Sequence, residues 1–353
     1  MPVAIVNGVR LNYVQIDDGE GDGADREDLV MVHGLATNLA FWYLQYAPVA
    51  AKRFRVTLFD LRGHGRSEMP KSDYSPAHMA RDMAGLMDHL GIGKAHFLAH
   101  SFGGVVTMNF ACQHPDRVRS LVLADSHISA VRHVETRREW AYGENLQGIL
   151  DRHGLDLDTR DPYFGYRLLT RVAEWQTRGL AVPPEMAEVV SPLMGKTGSR
   201  TAAQWLHLMS STSASAEMMG DDGLSLERLR KFRFPILAMY GDNSQARLTG
   251  SELLEVWPHA EFQRVRDAGH FFPTSRPEEV LLGCERLWGG EYAAHARRHR
   301  SGEAGKRFFR SDRVYATAGN WYFTTRETHR VGPFPCRDEA RAELASFILS
   351  VQP

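Results

Sequence analysis

Short apolar runs alternate with amphipathic stretches through the first third of this 353-residue chain. An apolar run of about four to eight residues between polar turns is typical of a buried strand, whereas apolar positions three or four residues apart indicate a helix. The alternation predicts an α/β fold, with a mostly parallel sheet covered by helices on both faces. The predicted strands begin at residues 4, 10, 29, 55, 95 and 119, and the predicted helices span 38–51, 75–90 and 102–113.

The pattern changes after residue 124. From 126 to about 230 no run has the alternation of a strand, and helical spacing recurs at 132–150, 166–178, 184–193 and 201–210. Strand-like runs return at 235–240 and 262–265. Residues 1–125 and 231–290 are therefore predicted to form one core, interrupted by a helical insertion at 126–230.

The last part of the chain has a different character. Residues 291–310 are polar and strongly basic, which predicts a solvated linker or, as the alternative, a patch for an anionic partner. Within 311–353, strand-like runs at 313–316 and 321–326 flank a turn, and 337–349 has helical spacing, which predicts a small α+β appendage of ββα order. So short a unit buries little core of its own, and we expect it to dock on the core or to form a homo-oligomer.

Composition narrows the classes of partner. Lys and Arg total 42 against 43 Asp and Glu, a net charge of -1, so no binding to nucleic acid is expected. Hydrophobic residues make up 43% of the chain, enough for a sizeable core, but no run is long enough to span a bilayer. Three scattered cysteines, Cys112, Cys284 and Cys336, favour neither a disulfide framework nor a zinc site. With no signal-peptide pattern at the start, these features predict a cytoplasmic protein.

The strongest chemical signal follows the apolar run at 95–98. In the string A-H-S-F-G at 99–103, a small residue lies two positions before Ser101 and another lies two positions after it. A strand is predicted to turn into a helix at this serine. Such a turn is a nucleophile elbow, a strained bend that holds a serine Oγ out toward a substrate. Ala99 stands where the usual pattern has glycine, and Gly104 lets the helix lie close against the sheet.

Further strings resemble motifs of the α/β-hydrolase superfamily, in the order that the superfamily requires. The string H-G-L at 33–35 follows one predicted strand, D-L-R-G-H-G-R-S at 60–67 follows the next, and D-A-G-H at 267–270 follows the last. With the elbow included, the resemblance covers about residues 1–288. It implies an α/β-hydrolase fold, with an eight-stranded, mostly parallel sheet and a helical cap inserted after strand 6.

The resemblance also implies a chemistry. A serine hydroxyl is a poor nucleophile at neutral pH, so a histidine must take its proton and a carboxylate must orient that histidine. Ser101 is the implied nucleophile and His270 the implied base, and the backbone N–H groups of Leu35 and Phe102 form the implied oxyanion hole. The pocket for a small-molecule acyl substrate is expected to be lined by His33, Gly34, Phe41, Trp42, His100 and Phe271.

The carboxylate has two candidates. Most of the superfamily carries it after the seventh strand in a pattern like G-x-x-D, but here the string is G-D-N-S at 241–244, with Ser244 in the place of the acid and Asp242 two positions early. Some relatives, including haloalkane dehalogenases, carry the acid after the sixth strand, where this chain has Asp125. We favour Asp125 and keep Asp242 as the alternative.

The residue type at the elbow distinguishes between the reactions that members of the superfamily catalyse. Haloalkane dehalogenases and epoxide hydrolases use an aspartate at the elbow, so Ser101 argues against both. We expect hydrolysis of a carboxylic ester or thioester through an acyl-enzyme. The alternatives are a carbon–carbon bond hydrolase or a cofactor-free haloperoxidase and, from another class, a small-molecule receptor with slow or absent turnover. No phosphate-binding glycine loop or ligand cluster is visible, so no cofactor and no metal are expected.

Overall fold

The structure is a computed structural model that describes residues 2–17, 26–131, 141–183, 186, 190, 193, 198–289, 314–317, 320–324, 330–335, 339–340 and 342–343. An eight-stranded sheet lies at its centre, with the strands in the order β1-β2-β4-β3-β5-β6-β7-β8. The strands are β1 (Val3–Val6), β2 (Val9–Ile16), β3 (Asp28–Val32), β4 (Arg55–Phe59), β5 (Ala95–His100), β6 (Val118–Ala124), β7 (Ile236–Gly241) and β8 (Glu261–Val265). From β4 to β8 all neighbours pair in parallel, whereas β1–β2 and β2–β4 are antiparallel. The predicted fold is confirmed.

The first two strands form a hairpin. Asn7 and Gly8 both have positive φ, 50° and 76°, as a two-residue type I′ turn requires. The turn sets Val6 opposite Val9 and so fixes the register of the hairpin.

Helices pack on both faces of the sheet. They are α1 (Ala40–Tyr43), α2 (Ala47–Ala50), α3 (Pro76–His89), α4 (Phe102–Gln113), α5 (Ala141–Arg152), α6 (Phe164–Thr177), α7 (Gly198–Ser211), α8 (Ala214–Met218), α9 (Leu226–Leu229), α10 (Arg247–Val256), α11 (Phe272–Ser275) and α12 (Pro277–Trp288). The single helix predicted at 38–51 is instead the pair α1 and α2. Pro48 lies in the first turn of α2 and has no N–H to donate backward, so a continuous helix would lose a hydrogen bond there.

Successive residues of one strand belong to two different cores. Val30 and Val32 of β3 pack in the cluster on one face, whereas Leu29 and Met31 pack in the cluster on the other. A strand buried on both faces reads as a continuous apolar run, which is why β3 shows no polar alternation. Because β3 to β8 run in parallel, the carboxyl ends of these strands all lie at the same end of the sheet.

The described residues between β6 and β7 contain the helices α5 to α9, joined by loops, and no strand. Helices α6 and α7 pack together, and Trp205 Nε1 donates to Thr170 Oγ1 at 3.0 Å. The predicted helix at 184–193 and the start of the one at 132–150 lie outside the described residues.

The C-terminal segment contains a second sheet. Strands β9 (Val314–Thr317), β10 (Asn320–Thr324) and β11 (Arg330–Phe334) pair antiparallel in the order β11-β10-β9. The sequence predicts only two of these strands. The third, β11, contains Pro333, a residue that has no N–H to donate and that an edge strand tolerates. The basic stretch at 291–310 and most of the helix at 337–349 lie outside the described residues, and the domain boundaries and the homo-oligomer stay predictions.

Among the described residues, no helix is long and apolar enough to cross a membrane.

Candidate active site

A sharp turn joins β5 to α4. Ser101 occupies that turn with φ 54°, in the left-handed region that non-glycine residues rarely adopt. The strained turn is anchored by the Ser101 N–H, which donates to the Ala124 carbonyl at 2.9 Å. A side chain at Gly103 would collide with the His33 carbonyl, and one at Gly104 with the Ser126 hydroxyl. The small residues after the serine are therefore needed for the helix to start this close to the sheet.

Three polar side chains meet at the carboxyl edge of the sheet. Ser101 Oγ lies 2.8 Å from His270 Nε2, and His270 Nδ1 lies 2.7 Å from Asp125 Oδ2. An ionised carboxylate only accepts, so Nδ1 carries the ring proton and Nε2 is left to accept from the serine hydroxyl. This is the arrangement needed to withdraw a proton from Ser101.

The Asp125 carboxylate is fully buried and held by three donors. Its Oδ1 accepts from the Gly241 N–H at 2.9 Å, and its Oδ2 accepts from the Ser244 hydroxyl as well as from His270. These donors offset the cost of removing a charge from water. Ser244 occupies the position where most of the superfamily has its acid, and here its hydroxyl donates to Asp125 at the end of the neighbouring strand.

Asp242 is engaged elsewhere. Its Oδ1 is paired with Arg264 Nε, and its Oδ2 accepts from the Asp267 N–H at 3.4 Å. The hydrogen bond to Asp242 raises the pKa of Arg264. Of the two candidate acids, the structure therefore brings Asp125 to His270 and turns Asp242 toward a salt bridge on β8.

Hydrogen bonds to the His33 ring fix the loop after β3. Leu61 N–H donates to His33 Nε2 at 3.0 Å, which leaves Nδ1 as the donor to the Gly34 carbonyl at 2.7 Å. Burial lowers the pKa of His33, in keeping with a neutral ring. A Cβ at Gly34 would lie 3.0 Å from the Cβ of Ser101, a tight contact, so glycine favours the close approach of this loop to the serine. The next residue, Leu35, lies beside Ser101 in the wall of the cavity.

His100 connects the serine strand to the histidine loop. Its Nε2 donates to the His270 carbonyl at 2.9 Å, and its ring stacks on Phe41 with centroids 4.7 Å apart. Burial, and then the neighbouring His270 ring, lower the pKa of His100 well below its usual value. A neutral His100 thus holds the main chain of His270 in place from the side opposite the substrate.

A cavity of about 1020 Å³, its open mouth included, lies over Ser101 and His270. Leu35, Phe102 and Phe271 line it. The other predicted lining residues, His33, Gly34, Phe41, Trp42 and His100, do not line it, which corrects the prediction. Their positions explain why: Trp42, for example, is fully buried and donates from Nε1 to the Val32 carbonyl at 3.0 Å. Trp42 therefore belongs to the core and not to the wall of the cavity.

A family profile described as alpha/beta hydrolase fold matches residues 29–277. The chain belongs to the alpha/beta hydrolase fold family. A second profile, a domain of unknown function named DUF6316, matches residues 299–353. The catalytic fold of this hydrolase and its C-terminal segment therefore match two separate families.

The similar proteins are described as hydrolases of different compounds. It is 30% identical over 260 residues to RutD of Caulobacter vibrioides, a candidate carbamate hydrolase, covering 73% of this chain and 88% of RutD. The solved structure of Est816, described as an N-acyl homoserine lactone degrading enzyme, is 25% identical with a TM-score of 0.52 and covers 80% of this chain and 98% of its own. The enol-lactonase of Burkholderia xenovorans LB400 is 24% identical with a TM-score of 0.55, covering 82% and 100%, and shows the shared fold.

Several lining residues of the hydrolase were missed by sequence reasoning. They come from α4, from the chain between β6 and β7, from the turn after β7 and from the loop after β8: Val105, His127, Leu146, Pro162, Phe164, Gly165, Tyr166, Leu168, Leu169, Asn243, Ser244, Gln245, Ala246 and Gly269. Val105 could have been found, because it lies one helical turn after Ser101 on the elbow helix. The residues of α5 and α6 carry no such signal, since helix packing decides which of their faces meets the cavity.

Within the described ranges, no three His, Cys, Asp or Glu side chains come together as metal ligands would. The expected absence of a metal and of a cofactor stays a prediction.

Proposed function

We propose that this hydrolase cleaves a carboxylic ester or thioester through a Ser101–His270–Asp125 triad and an acyl-enzyme. The observation that carries the proposal is the continuous pair of hydrogen bonds, 2.8 Å from Ser101 to His270 and 2.7 Å from His270 to Asp125. A serine held in a strained turn beside a correctly oriented imidazole is arranged for nucleophilic attack on a carbonyl.

The steps follow from the positions of the atoms. Ser101 Oγ attacks the carbonyl carbon while its proton passes to His270 Nε2, and Asp125 stabilises the resulting imidazolium. The carbonyl oxygen becomes an oxyanion, and we assign its binding to the N–H groups of Leu35 and Phe102. Phe102 is the first residue of α4, and the first N–H groups of a helix have no partner within the helix. His270 then protonates the leaving group, and a water molecule hydrolyses the acyl-enzyme by the same route.

Lactones fall within the same proposal. A lactone is a cyclic ester, so the same attack opens it, and the similar protein Est816 is described as degrading an N-acyl homoserine lactone. We therefore include lactones among the substrates to be tested, beside open-chain esters and thioesters. The cytoplasmic location stays a prediction.

The test is hydrolysis of p-nitrophenyl esters from acetate to octanoate by the full chain. We expect a burst of p-nitrophenol followed by steady turnover, and a fall of about ten-thousandfold or more in kcat for Ser101→Ala. Ser72→Ala removes an exposed hydroxyl and serves as the matched control, with unchanged activity. Mass spectrometry should find the trapped acyl group on the peptide that contains Ser101.

Binding of esters with no turnover dependent on Ser101, across esters, thioesters and lactones, would contradict this proposal and favour a small-molecule receptor.

A further inference from the structure

The cavity has two chemically different walls. One, here called the apolar wall, consists of side chains from α4 and from the helices between β6 and β7: Phe102, Val105, Leu146, Phe164, Leu168 and Leu169. The other, here called the amide wall, consists of Asn243 and Gln245 in the turn after β7. Both walls line the cavity that contains Ser101, so a substrate that fills the cavity from Ser101 outward can reach both.

The two carboxamides of the amide wall are not used by the fold. Both residues are half-buried, and neither side-chain amide has a hydrogen-bond partner in the part of the chain that the structure describes. Elsewhere such amides hold the fold together: Asn109 Nδ2 donates to the Val105 and Asp222 carbonyls, and Gln147 Nε2 to the Leu157 carbonyl. Each free carboxamide offers two donors and one acceptor to a ligand.

The amide wall lies on the side of the acid and the base. Asn243 N–H donates to the Ala268 carbonyl at 3.0 Å, just before His270, and Ser244 between the two amides donates to Asp125. His270 must protonate the leaving group, so the leaving group departs on this side. The apolar wall begins at Phe102, to whose N–H the proposed mechanism assigns the oxyanion, and continues along α4 to Val105.

We infer that the substrate is an uncharged ester whose acyl chain is apolar and whose alcohol portion carries a hydroxyl or amide group bound by Asn243 and Gln245. This inference rests on the proposed function and adds the substrate class. The lining agrees with it: among the described residues that line the cavity, none is Asp, Glu, Lys or Arg. An acyl chain that ended in a carboxylate would bury its charge without an ionic partner on the apolar wall.

The first experiment compares two esters that differ in one group. In 2-hydroxyethyl hexanoate and propyl hexanoate, a hydroxyl replaces a methyl of similar size on the alcohol side. We expect the wild-type enzyme to have kcat/KM about five- to tenfold higher for the hydroxyethyl ester, and the double variant Asn243→Ala/Gln245→Ala to reduce this ratio by about the same factor. Gln113→Ala, an exposed amide at the far end of α4, is the matched control and should keep the wild-type ratio.

The second experiment tests the apolar wall. Mono-p-nitrophenyl adipate has the carbon count of p-nitrophenyl hexanoate but ends in a carboxylate. We expect kcat/KM for the adipate to be lower by about 100-fold or more, since the charge must be desolvated.

The outcomes separate the inference from the proposed function. Turnover that depends on Ser101, with equal ester ratios in the wild type and the double variant or with equal rates for the two p-nitrophenyl esters, overturns the substrate class and leaves the proposed function standing. Absence of any turnover dependent on Ser101 overturns both.

Discussion

The carboxyl ends of β6 and β7 each carry an aspartate, and the two differ in almost every respect. Asp125, after β6, is fully buried, has φ 55° and is bound to His270 Nδ1 at 2.7 Å. Asp242, after β7, retains 13% of its side-chain exposure and pairs with Arg264 of β8. Residue type and position along a strand are the same, so the partners that the backbone brings near decide the chemistry.

The comparison also shows how one acid position replaces another. Ser244 donates to the same Asp125 oxygen that accepts from His270. A carboxylate at 244 would therefore lie close to the His270 ring, but in this chain a hydroxyl fills the place and donates to Asp125. We therefore predict that the two strand ends form one carboxylate site, which an acid on either strand end can occupy.

The largest expected difference is catalytic. Asp125→Asn leaves the size of the side chain unchanged but removes the charge and favours the wrong histidine tautomer, so we expect kcat/KM to fall about a thousandfold or more. Asp242→Asn should change kcat/KM by less than about threefold, because that carboxylate binds Arg264. Both are measured with the p-nitrophenyl ester that the wild type hydrolyses best, after circular dichroism has shown that each variant is folded. Similar losses of kcat/KM in the two variants would contradict the different roles assigned to Asp125 and Asp242.

The choice between these two aspartates could not be made from the sequence. The elbow and the histidine loop can be recognised locally, because the strings A-H-S-F-G at 99–103 and D-A-G-H at 267–270 are each a few consecutive residues. The partner of His270 depends instead on where three separate strand ends lie in space. Sequence reasoning could favour Asp125, but the hydrogen bond from Ser244 became visible only when β6 and β7 were seen side by side.

The lining of the cavity shows the same difference between features that consecutive residues indicate and features that depend on how helices pack. The motifs predicted the sheet, the elbow and the loop after β3, since each is written in consecutive residues. They misplaced Trp42 and Phe41, because an aromatic residue after that loop has the same pattern whether it faces the substrate or the core. Leu146 and Phe164 were missed because the packing of α5 and α6 over the sheet determines their direction.

Moving the acid from one strand to the other sharpens the comparison. The double variant Asp125→Asn/Ser244→Asp places a carboxylate in the position that most of the superfamily uses. We expect it to recover about tenfold or more in kcat/KM over Asp125→Asn alone, because the new carboxylate can accept from His270 Nδ1. Ser244→Asn in the same background has a similar size and no charge, and should recover nothing. Equal rates for these two double variants would show that position 244 cannot supply the acid.

The smallest expected effect concerns stability and belongs to Asp242. Its pair with Arg264 is partly buried, so Asp242→Asn should lower the free energy of unfolding by about 1 kcal/mol, measured by urea unfolding and circular dichroism. Asp88→Asn is the control: Asp88 pairs with Arg117 at 2.8 Å, but its side chain is 67% exposed, and the change should be near zero. A loss of activity without a loss of stability in Asp242→Asn would contradict this assignment, because Asp242 would then serve the reaction and the two strand ends would share one function.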